Sequence, residues 1–185
     1  MQSLSDAIAE NIESSKQLSS LEPGIMAASE KIRQTFENGN RLFVCGNGGS
    51  AADAQHFASE LTGRFEKHRS GFPAFALTND TSAMTAIAND YGYESIFARQ
   101  LASLGNKGDV LLVISTSGNS PNLIEAVRQA KEQGLSCIGL LGRDGGSLAA
   151  QVDISVLVQG FRTSRIQESH IFILHYFCEI FEPSE

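Results

Sequence analysis

The sequence predicts an α/β fold in which a parallel sheet of five strands is covered by helices on both faces, a doubly wound, flavodoxin-like arrangement. Five short apolar runs alternate with stretches of helical periodicity. Parallel strands need helical crossovers to return the chain, and strands buried on both faces read as nearly continuous apolar runs. In addition, glycine-rich or serine-rich turns directly follow two of the runs, at the edge where such sheets bind ligands.

The five apolar runs are expected to form the strands. They lie at residues 41–45, 73–78, 109–115, 136–142 and 153–158. Each is rich in aliphatic side chains, and turn residues such as the Asn-Gly-Asn stretch at 38–40 precede or follow them. The loops after Cys45, Thr78, Ser115 and Val158 are therefore the places where we expect a ligand.

Helices are expected before the first strand and between the later ones. Apolar residues recur at helical spacing in 4–20 and again in 23–37. Ser120 as N-cap, Pro121 at the first helical position and Gly134 just past the end mark a further helix after the third strand. We expect a single domain over 1–185, made of an N-terminal helical pair (1–38) that serves oligomerisation and an α/β core with a C-terminal helix (39–185).

Composition narrows the class of protein. The 185 residues are 42% hydrophobic and carry a net charge of -7, with 14 scattered Lys and Arg residues, so a nucleic-acid partner is not expected. The three cysteines have no metal-type spacing, which fits a reducing cytoplasm, and Cys45 is interpreted as a small buried thiol. The N-terminal stretch leads us to expect no signal peptide, and no run of about 18 apolar residues occurs in this sequence, so a membrane partner is not expected.

The first candidate site is the turn GNGGSA, residues 46–51, between the first strand and a helix. Its glycines let the backbone approach a ligand, and the free N–H groups of the helix start favour an anion. The turn also matches a relaxed dinucleotide fingerprint. No acidic residue ends a second strand about 20 positions further on, which argues against a dinucleotide. A purely structural turn remains the alternative.

The second candidate site is STSGNS, residues 115–120, between the third strand and the helix that follows. Hydroxyl groups at a helix N-terminus form a neutral phosphate cradle made of hydrogen bonds and dipoles. The Gly-Lys-Ser/Thr ending of a P-loop is missing. The alternative is a loop that only caps the helix.

The third candidate site consists of polar side chains on two helices. His56 and Glu60 share one helix face because they are one turn apart, and the last helix carries Gln167, Glu168, His170 and His175. Imidazole, carboxylate and amide groups suit zinc as well as acid–base chemistry, and the histidines also suit a helix core. Spacing favours Glu168 as the partner of His175, because they lie about 20° apart on the helix whereas Gln167 lies roughly 80° away.

At these residues the chain resembles the sugar isomerase (SIS) family, and within it the members that interconvert sedoheptulose 7-phosphate and D-glycero-D-manno-heptose 7-phosphate. Four segments carry the resemblance in order: CGNGGSAADAQHFASELTGR, AIANDYG, GDVLLVISTSGNSPN, and RIQESH followed by a second histidine. The family has the α/β fold expected above. The resemblance implies an aldose–ketose isomerase that acts through an enediol in the first step of nucleotide-activated heptose synthesis.

The resemblance also implies residue roles. Phosphate binding falls to Ser115, Thr116, Ser117 and Ser120, and sugar contacts fall to Asn47, Gly48, Ser50, Arg64, Asp90 and Gln167. One Zn²⁺ per subunit is implied, bound by His56, Glu60, Gln167 and His175, with Glu60 as general base and His175 as general acid. The family choice of Gln167 over Glu168 differs from the spacing preference. A homotetramer is implied as well.

Two features qualify the resemblance. Some family members have an aspartate directly before the arginine of the RIQE motif, where this chain has Ser164. The family also contains non-enzymatic relatives, such as the DnaA initiator-associating protein, which act as scaffolds and lack the equivalents of Glu60 and His175. This chain has both residues, which favours the enzyme over the scaffold. Another sugar-phosphate isomerase or a sugar-phosphate-binding regulator is a further alternative.

Overall fold

A computed structural model describes residues 3–160 and 162–183. The helices are α1 Leu4–Gln17, α2 Glu22–Glu37, α3 Gly49–Thr62, α4 Thr81–Tyr91, α5 Ile96–Leu104, α6 Pro121–Glu132 and α7 Thr163–Ile180. The strands are β1 Leu42–Gly46, β2 Ala74–Ala76, β3 Val110–Ser115, β4 Ser136–Gly142 and β5 Ile154–Val158. All five strands are parallel, in the order β2-β1-β3-β4-β5. This confirms the predicted fold class and the flavodoxin-like strand order.

The sheet is buried on both faces, as the continuous apolar runs predict. Leu42 and Val44 of β1 pack with α2, α3 and α7 on one face, while Phe43 and Cys45 pack with α5 and α6 on the other. Successive side chains of a strand point to opposite faces of the sheet. Because helices cover both faces here, apolar residues are expected at every position of the strand.

Two predicted elements differ from the structure by more than one residue at an end. The second strand is three residues long rather than 73–78, since only Ala74, Phe75 and Ala76 pair with β1 at this edge of the sheet. The first helix ends at Gln17 instead of continuing to residue 20, and a short 3-10 turn, Leu18–Leu21, leads into α2. Leu18 is buried in that turn. Its contact with the core bends the chain between the two helices.

The first helix lies outside both layers and contacts α7. Asn11 Nδ2 donates to Glu168 Oε2 at 2.7 Å, and Arg165 donates to the Ala7 carbonyl at 3.0 Å. No residue of α1 is buried, and the apolar side chains of Leu4, Ile8 and Ile12 are exposed. Within the described ranges, no helix is long and apolar enough to cross a bilayer.

Candidate active site

The two loops singled out in the sequence lie side by side at the carboxyl edge of the sheet. β1 and β3 are parallel neighbours, so the turn after Gly46 and the loop after Ser115 leave the same edge. The strand order reverses at this point, with β2 on one side of β1 and the other strands on the opposite side. A doubly wound sheet opens a crevice at such a switch point.

A pair of asparagines joins the two loops. Asn47 Nδ2 donates to Asn122 Oδ1 at 2.9 Å, and Asn122 Nδ2 donates to Asn47 Oδ1 at 2.8 Å. The hydroxyl of Tyr93 also donates to Asn47 Oδ1, at 3.2 Å. Sequence reasoning missed Asn122 and Tyr93. Asn122 is the second residue of α6 and is 2% exposed, and a buried asparagine in a first helical turn resembles an ordinary helix residue when only the sequence is known.

A small cavity of about 60 Å³ lies between the loops and α7. It is lined by Asn47, Ser50, Ile114, Ser115, Thr116, Ser117, Ser120, Leu123 and Gln167. All of these except Ile114 and Leu123 were candidate site residues from the sequence. We call residues 115–120 the serine loop and residues 46–51 the glycine turn. The fold therefore brings the serine loop, part of the glycine turn and one residue of the last helix to the same place.

The serine loop is held in shape by its own hydrogen bonds and by the loop after β4. Ser115 Oγ accepts from Gly118 N at 3.0 Å, and the Gly118 carbonyl accepts from Leu148 N at 3.0 Å. Ser120 precedes α6 as expected, but its side chain makes no capping hydrogen bond. Ser120 lines the cavity instead.

The glycine turn meets Gln167 at very short range. Gly48 has a φ of 57°, a conformation that favours glycine. A Cβ atom at the neighbouring Gly49 would lie 2.4 Å from Gln167 Nε2. The absence of a side chain at residue 49 is therefore what lets the Gln167 amide approach the start of α3.

His56, Glu60 and His175 form a second polar group, which we call the histidine–glutamate group. His56 Nε2 lies 3.2 Å from Glu60 Oε1 and 3.2 Å from His175 Nε2. The side chains of His56 and Glu60 are 46% and 26% exposed, so this is a solvent-accessible site rather than a buried histidine of the core. Phe65 stacks on the His175 ring with centroids 5.7 Å apart. Arg69 donates to the Glu60 carbonyl at 2.8 Å and secures the end of α3.

The spacing preference for Glu168 was wrong. Glu168 accepts from Asn11 and pairs with Arg165 at 2.8 Å, so its carboxylate is committed to the contact between α1 and α7. Gln167 is the residue that faces the cavity. Angles around the helix axis cannot show which side chain another helix will contact. Here α1 contacts Glu168 and leaves Gln167 to face the cavity.

Two further candidates lie apart from both groups. Arg64 is exposed after α3, where it donates to the Glu66 carbonyl at 3.1 Å. Asp90 is exposed near the end of α4 and accepts from Asn89 Nδ2 at 2.8 Å. Neither lines the cavity or contacts the histidine–glutamate group. Ser164, at the position where some family members carry an aspartate, and Thr163 before it are exposed in the first turn of α7.

The candidate metal ligands match zinc in the types of atom that they could donate. Imidazole nitrogen, carboxylate oxygen and amide oxygen are all zinc ligands in proteins. His56, Glu60 and His175 supply the first two, with His56 in contact with each of the other two, whereas the Gln167 amide lies against the glycine turn. Across 3–160 and 162–183, no three His, Cys, Asp or Glu side chains are arranged as a group that could hold a metal ion.

Burial keeps two other titratable side chains, Cys45 and His170, in their neutral forms. Burial raises the pKa of the Cys45 thiol well above its usual range, so it is not a nucleophile, and the expectation of a small buried thiol is confirmed. His170 is fully buried, and burial lowers its pKa to about 4, with the Leu141 backbone opposing the shift only in part. His170 is therefore neutral at pH 7 and belongs to the core.

The fold, the strand order and the serine loop at the sheet edge together define a SIS domain. The model of the SIS domain family matches residues 6–142.

Similarity to curated relatives indicates the group within the SIS domain family. A phosphoheptose isomerase of Helicobacter hepaticus is 50% identical over 93% of this chain and 88% of its own length, and that of Neisseria gonorrhoeae is 54% identical over 86% of this chain and 82% of its own. The solved structure of phosphoheptose isomerase GmhA from Neisseria gonorrhoeae superposes with a TM-score of 0.91 at 46% identity, covering 96% of this chain and 95% of that one. The chain belongs to the SIS domain family and, within it, to the phosphoheptose isomerases.

Proposed function

We propose that this protein is an aldose–ketose isomerase that converts D-sedoheptulose 7-phosphate to D-glycero-D-manno-heptose 7-phosphate, the first step of nucleotide-activated heptose synthesis. The observation that carries the proposal is that α3 and α7 each contribute residues both to the small cavity and to the histidine–glutamate group. Ser50 and Gln167 line the cavity beside the serine loop, and His56, Glu60 and His175 follow on the same helices. The names of the relatives, at about 50% identity, support the substrate class.

The cavity suits the phosphate end of the substrate. Ser115, Thr116, Ser117 and Ser120 lie at or before the N-terminus of α6, where they can offer hydroxyl or backbone groups, and none of the described cationic residues lines the cavity. Hydrogen bonds and the helix dipole therefore provide the binding. Asn47, Gly48, Ser50 and Gln167 are proposed to contact the sugar, whereas the sugar contacts of Arg64 and Asp90, which lie apart from the cavity, stay predictions from the resemblance. Phosphate binding holds the far end of the substrate and uses that energy to orient the reacting carbons.

The histidine–glutamate group suits the reacting end. His56 lies roughly 9 Å from Ser50 along the axis of α3, which leaves space for the sugar chain between the two groups. Glu60 is proposed to take the proton from C1 of the ketose and return it to C2, through an enediol. His175 is proposed to protonate the C2 oxygen and to take the proton of the C1 hydroxyl, so that the carbonyl passes from C2 to C1 with no net gain or loss of protons. Proton transfers of this kind need an acid and a base within hydrogen-bond reach of adjacent atoms.

One Zn²⁺ per subunit is part of the proposal, with His56, Glu60, Gln167 and His175 as the residues that would hold it. When bound, zinc would supply Lewis-acid polarisation of a sugar oxygen. The donor types of these four side chains support it. Because Glu60 and His175 would both hold the metal, a bound zinc would restrict the proton transfers assigned to them, and a catalytic, a structural and an inhibitory role for zinc are the alternatives that the assay with zinc and chelator separates.

A homotetramer in the cytoplasm is also proposed. The apolar stripe of Leu4, Ile8 and Ile12 on α1 supports a contact between subunits, because large apolar side chains grouped on one surface are typical of protein interfaces. Cys45, Cys137 and Cys178 are all free thiols, which suits a reducing compartment.

The test is direct assay of the reaction. Purified protein is incubated with sedoheptulose 7-phosphate, and the aldoheptose phosphate is followed by NMR, with added zinc and with a chelator. Turnover supports the isomerase, and its dependence on zinc reports the place of the metal. Absence of turnover by folded protein in every condition would contradict the proposal and favour a scaffold or a sugar-phosphate-binding regulator.

A further inference from the structure

A second cleft opens on the outer side of the serine loop. Its volume is about 790 Å³, and it is lined by Ser117, Asn119, Arg143, Asp144, Leu157, Gln159 and Gly160. Ser117 lines both this cleft and the small cavity described above. The cleft therefore borders the loop to which phosphate binding is assigned, on the side that faces solvent.

The loop that carries Arg143 packs directly on the serine loop. Asn119 Oδ1 accepts from Ser147 N at 2.9 Å and from Ser147 Oγ at 3.0 Å. A Cβ atom at Gly118 would lie 1.9 Å from the Gly145 carbonyl oxygen, so the two backbones are in close contact there. The position of residues 143–147 relative to Ser117 is thus fixed by several contacts.

Arg143 has an unusual backbone conformation. In the described part of the chain it is the only residue other than glycine with a positive φ, at 60°. Its N–H donates to the Val158 carbonyl at 3.0 Å, which ties this conformation to the end of the sheet. Left-handed backbone is unfavourable for a long side chain, and glycines already flank this turn at 142, 145 and 146. An arginine here has a cost in stability that a glycine would avoid.

The Arg143 side chain has no partner within 3–160 and 162–183. Its guanidinium makes no hydrogen bond and no ion pair there, in contrast to Arg33 and Arg128, which each bind two glutamates. Among the described residues, Arg143 is also the only cationic one that lines either the cleft or the small cavity. The one carboxylate in the cleft, Asp144, accepts from Gly146 N at 3.1 Å instead of pairing with Arg143.

We propose that Arg143 captures the phosphate group of the substrate at the mouth of the cleft and passes it to the serine loop. This inference rests on the isomerase function proposed above. A protein with a net charge of -7 repels a phosphate dianion at long range, and the serine loop has no charge of its own to offset that repulsion. An unpaired, solvent-facing guanidinium beside Ser117 supplies the attraction, and guanidinium groups match phosphate oxygens in geometry.

The test compares kcat and KM of four variants over a range of KCl concentrations. Arg143→Gln removes the charge, Arg143→Lys keeps it, and Arg143→Gly removes it while relieving the backbone. Arg33→Gln on α2 is the matched control, with the same change in net charge away from both cavities.

We expect Arg143→Gln to lower kcat/KM about 3- to 10-fold at low salt through a higher KM, and to flatten the decline of kcat/KM with KCl. Arg143→Lys should restore most of kcat/KM and the salt dependence. Arg143→Gly should lose kcat/KM as Arg143→Gln does while its Tm rises by about 2–4 °C, a combination that a merely structural residue would not give. Arg33→Gln should behave as the wild-type protein does.

Wild-type kcat/KM and salt dependence in Arg143→Gln would overturn the proposal, as would an equal loss in Arg143→Lys and Arg143→Gln. Failure of the isomerase function is distinguishable, because the wild-type protein would then be inactive in every condition. In that event, line broadening of inorganic phosphate in ³¹P NMR is the readout. Weaker broadening by Arg143→Gln than by Arg33→Gln supports phosphate capture, and equal broadening overturns it.

Discussion

Asn47 and Asn122 exchange two hydrogen bonds, at 2.9 and 2.8 Å, and so connect the turn after β1 to the first turn of α6. Each amide uses a donor and an acceptor on the other. The pair therefore fixes the distance between the glycine turn and the serine loop, which are the two walls of the small cavity. Asn122 is a positioning residue in this arrangement, because it acts through Asn47.

Replacing Asn122 with alanine should lower both stability and kcat/KM. The substitution leaves both the Asn47 donor and its acceptor without their Asn122 partner, at a cost of about 1–3 kcal/mol in unfolding free energy. We expect kcat/KM to fall about tenfold or more as the two loops lose their register. Urea unfolding and steady-state kinetics provide the measurements. Asn38→Ala, at an exposed position after α2, is the control, and unchanged kinetics in Asn122→Ala would refute the positioning effect.

Glu60→Gln and His175→Ala should each reduce turnover by about 100- to 10,000-fold, the range expected when a general acid or base is removed. Circular dichroism should be unchanged, because both side chains are partly exposed and outside the core. Glu132→Gln on α6 and His68→Ala, an exposed residue after α3, are matched controls and should retain activity. Near-normal turnover in both Glu60→Gln and His175→Ala would remove the proposed acid–base pair.

Gly49→Ala and Gly24→Ala form a contrasting pair. A Cβ atom at residue 49 would meet Gln167 Nε2 at 2.4 Å and displace that amide, whereas one at residue 24 meets only ordinary contacts of 3.6 Å or more. We expect Gly49→Ala to lose most of its activity with little change in Tm. Gly24→Ala, within α2, should keep full activity and gain up to about 1 kcal/mol in stability. Full activity in Gly49→Ala would show that the position of Gln167 is not critical.

Stability should fall between pH 6.5 and pH 4 because of His170. Its pKa is about 4 in the folded protein and near 6.5 in the unfolded chain. In that window the unfolded chain binds a proton that the folded protein does not, so acid favours unfolding, by about 3 kcal/mol once the pH falls below both values. Urea unfolding at pH 7 and pH 5 measures the change. His170→Leu should reduce the difference in unfolding free energy between pH 7 and pH 5. If that difference is the same as in the wild-type protein, other groups cause it.

The sequence by itself determined the fold class, the five strands in order, and the two loops that follow β1 and β3. These features depend on local patterns, because strand and helix periodicity, proline and glycine positions and the burial of continuous apolar runs are properties of neighbouring residues. The candidate residues of the small cavity were found for the same reason, since the carboxyl ends of parallel strands meet at one edge.

Only the tertiary structure decided which side chains meet. It placed Glu168 against α1 and turned Gln167 to the cavity, paired Asn47 with Asn122, and left Arg143 unpaired in a strained turn. It also separated Arg64 and Asp90 from the other candidates. These outcomes depend on contacts between residues distant in sequence. Helical spacing gives the direction of a side chain about its own axis, but the neighbouring element that covers it is set by the packing of the whole chain.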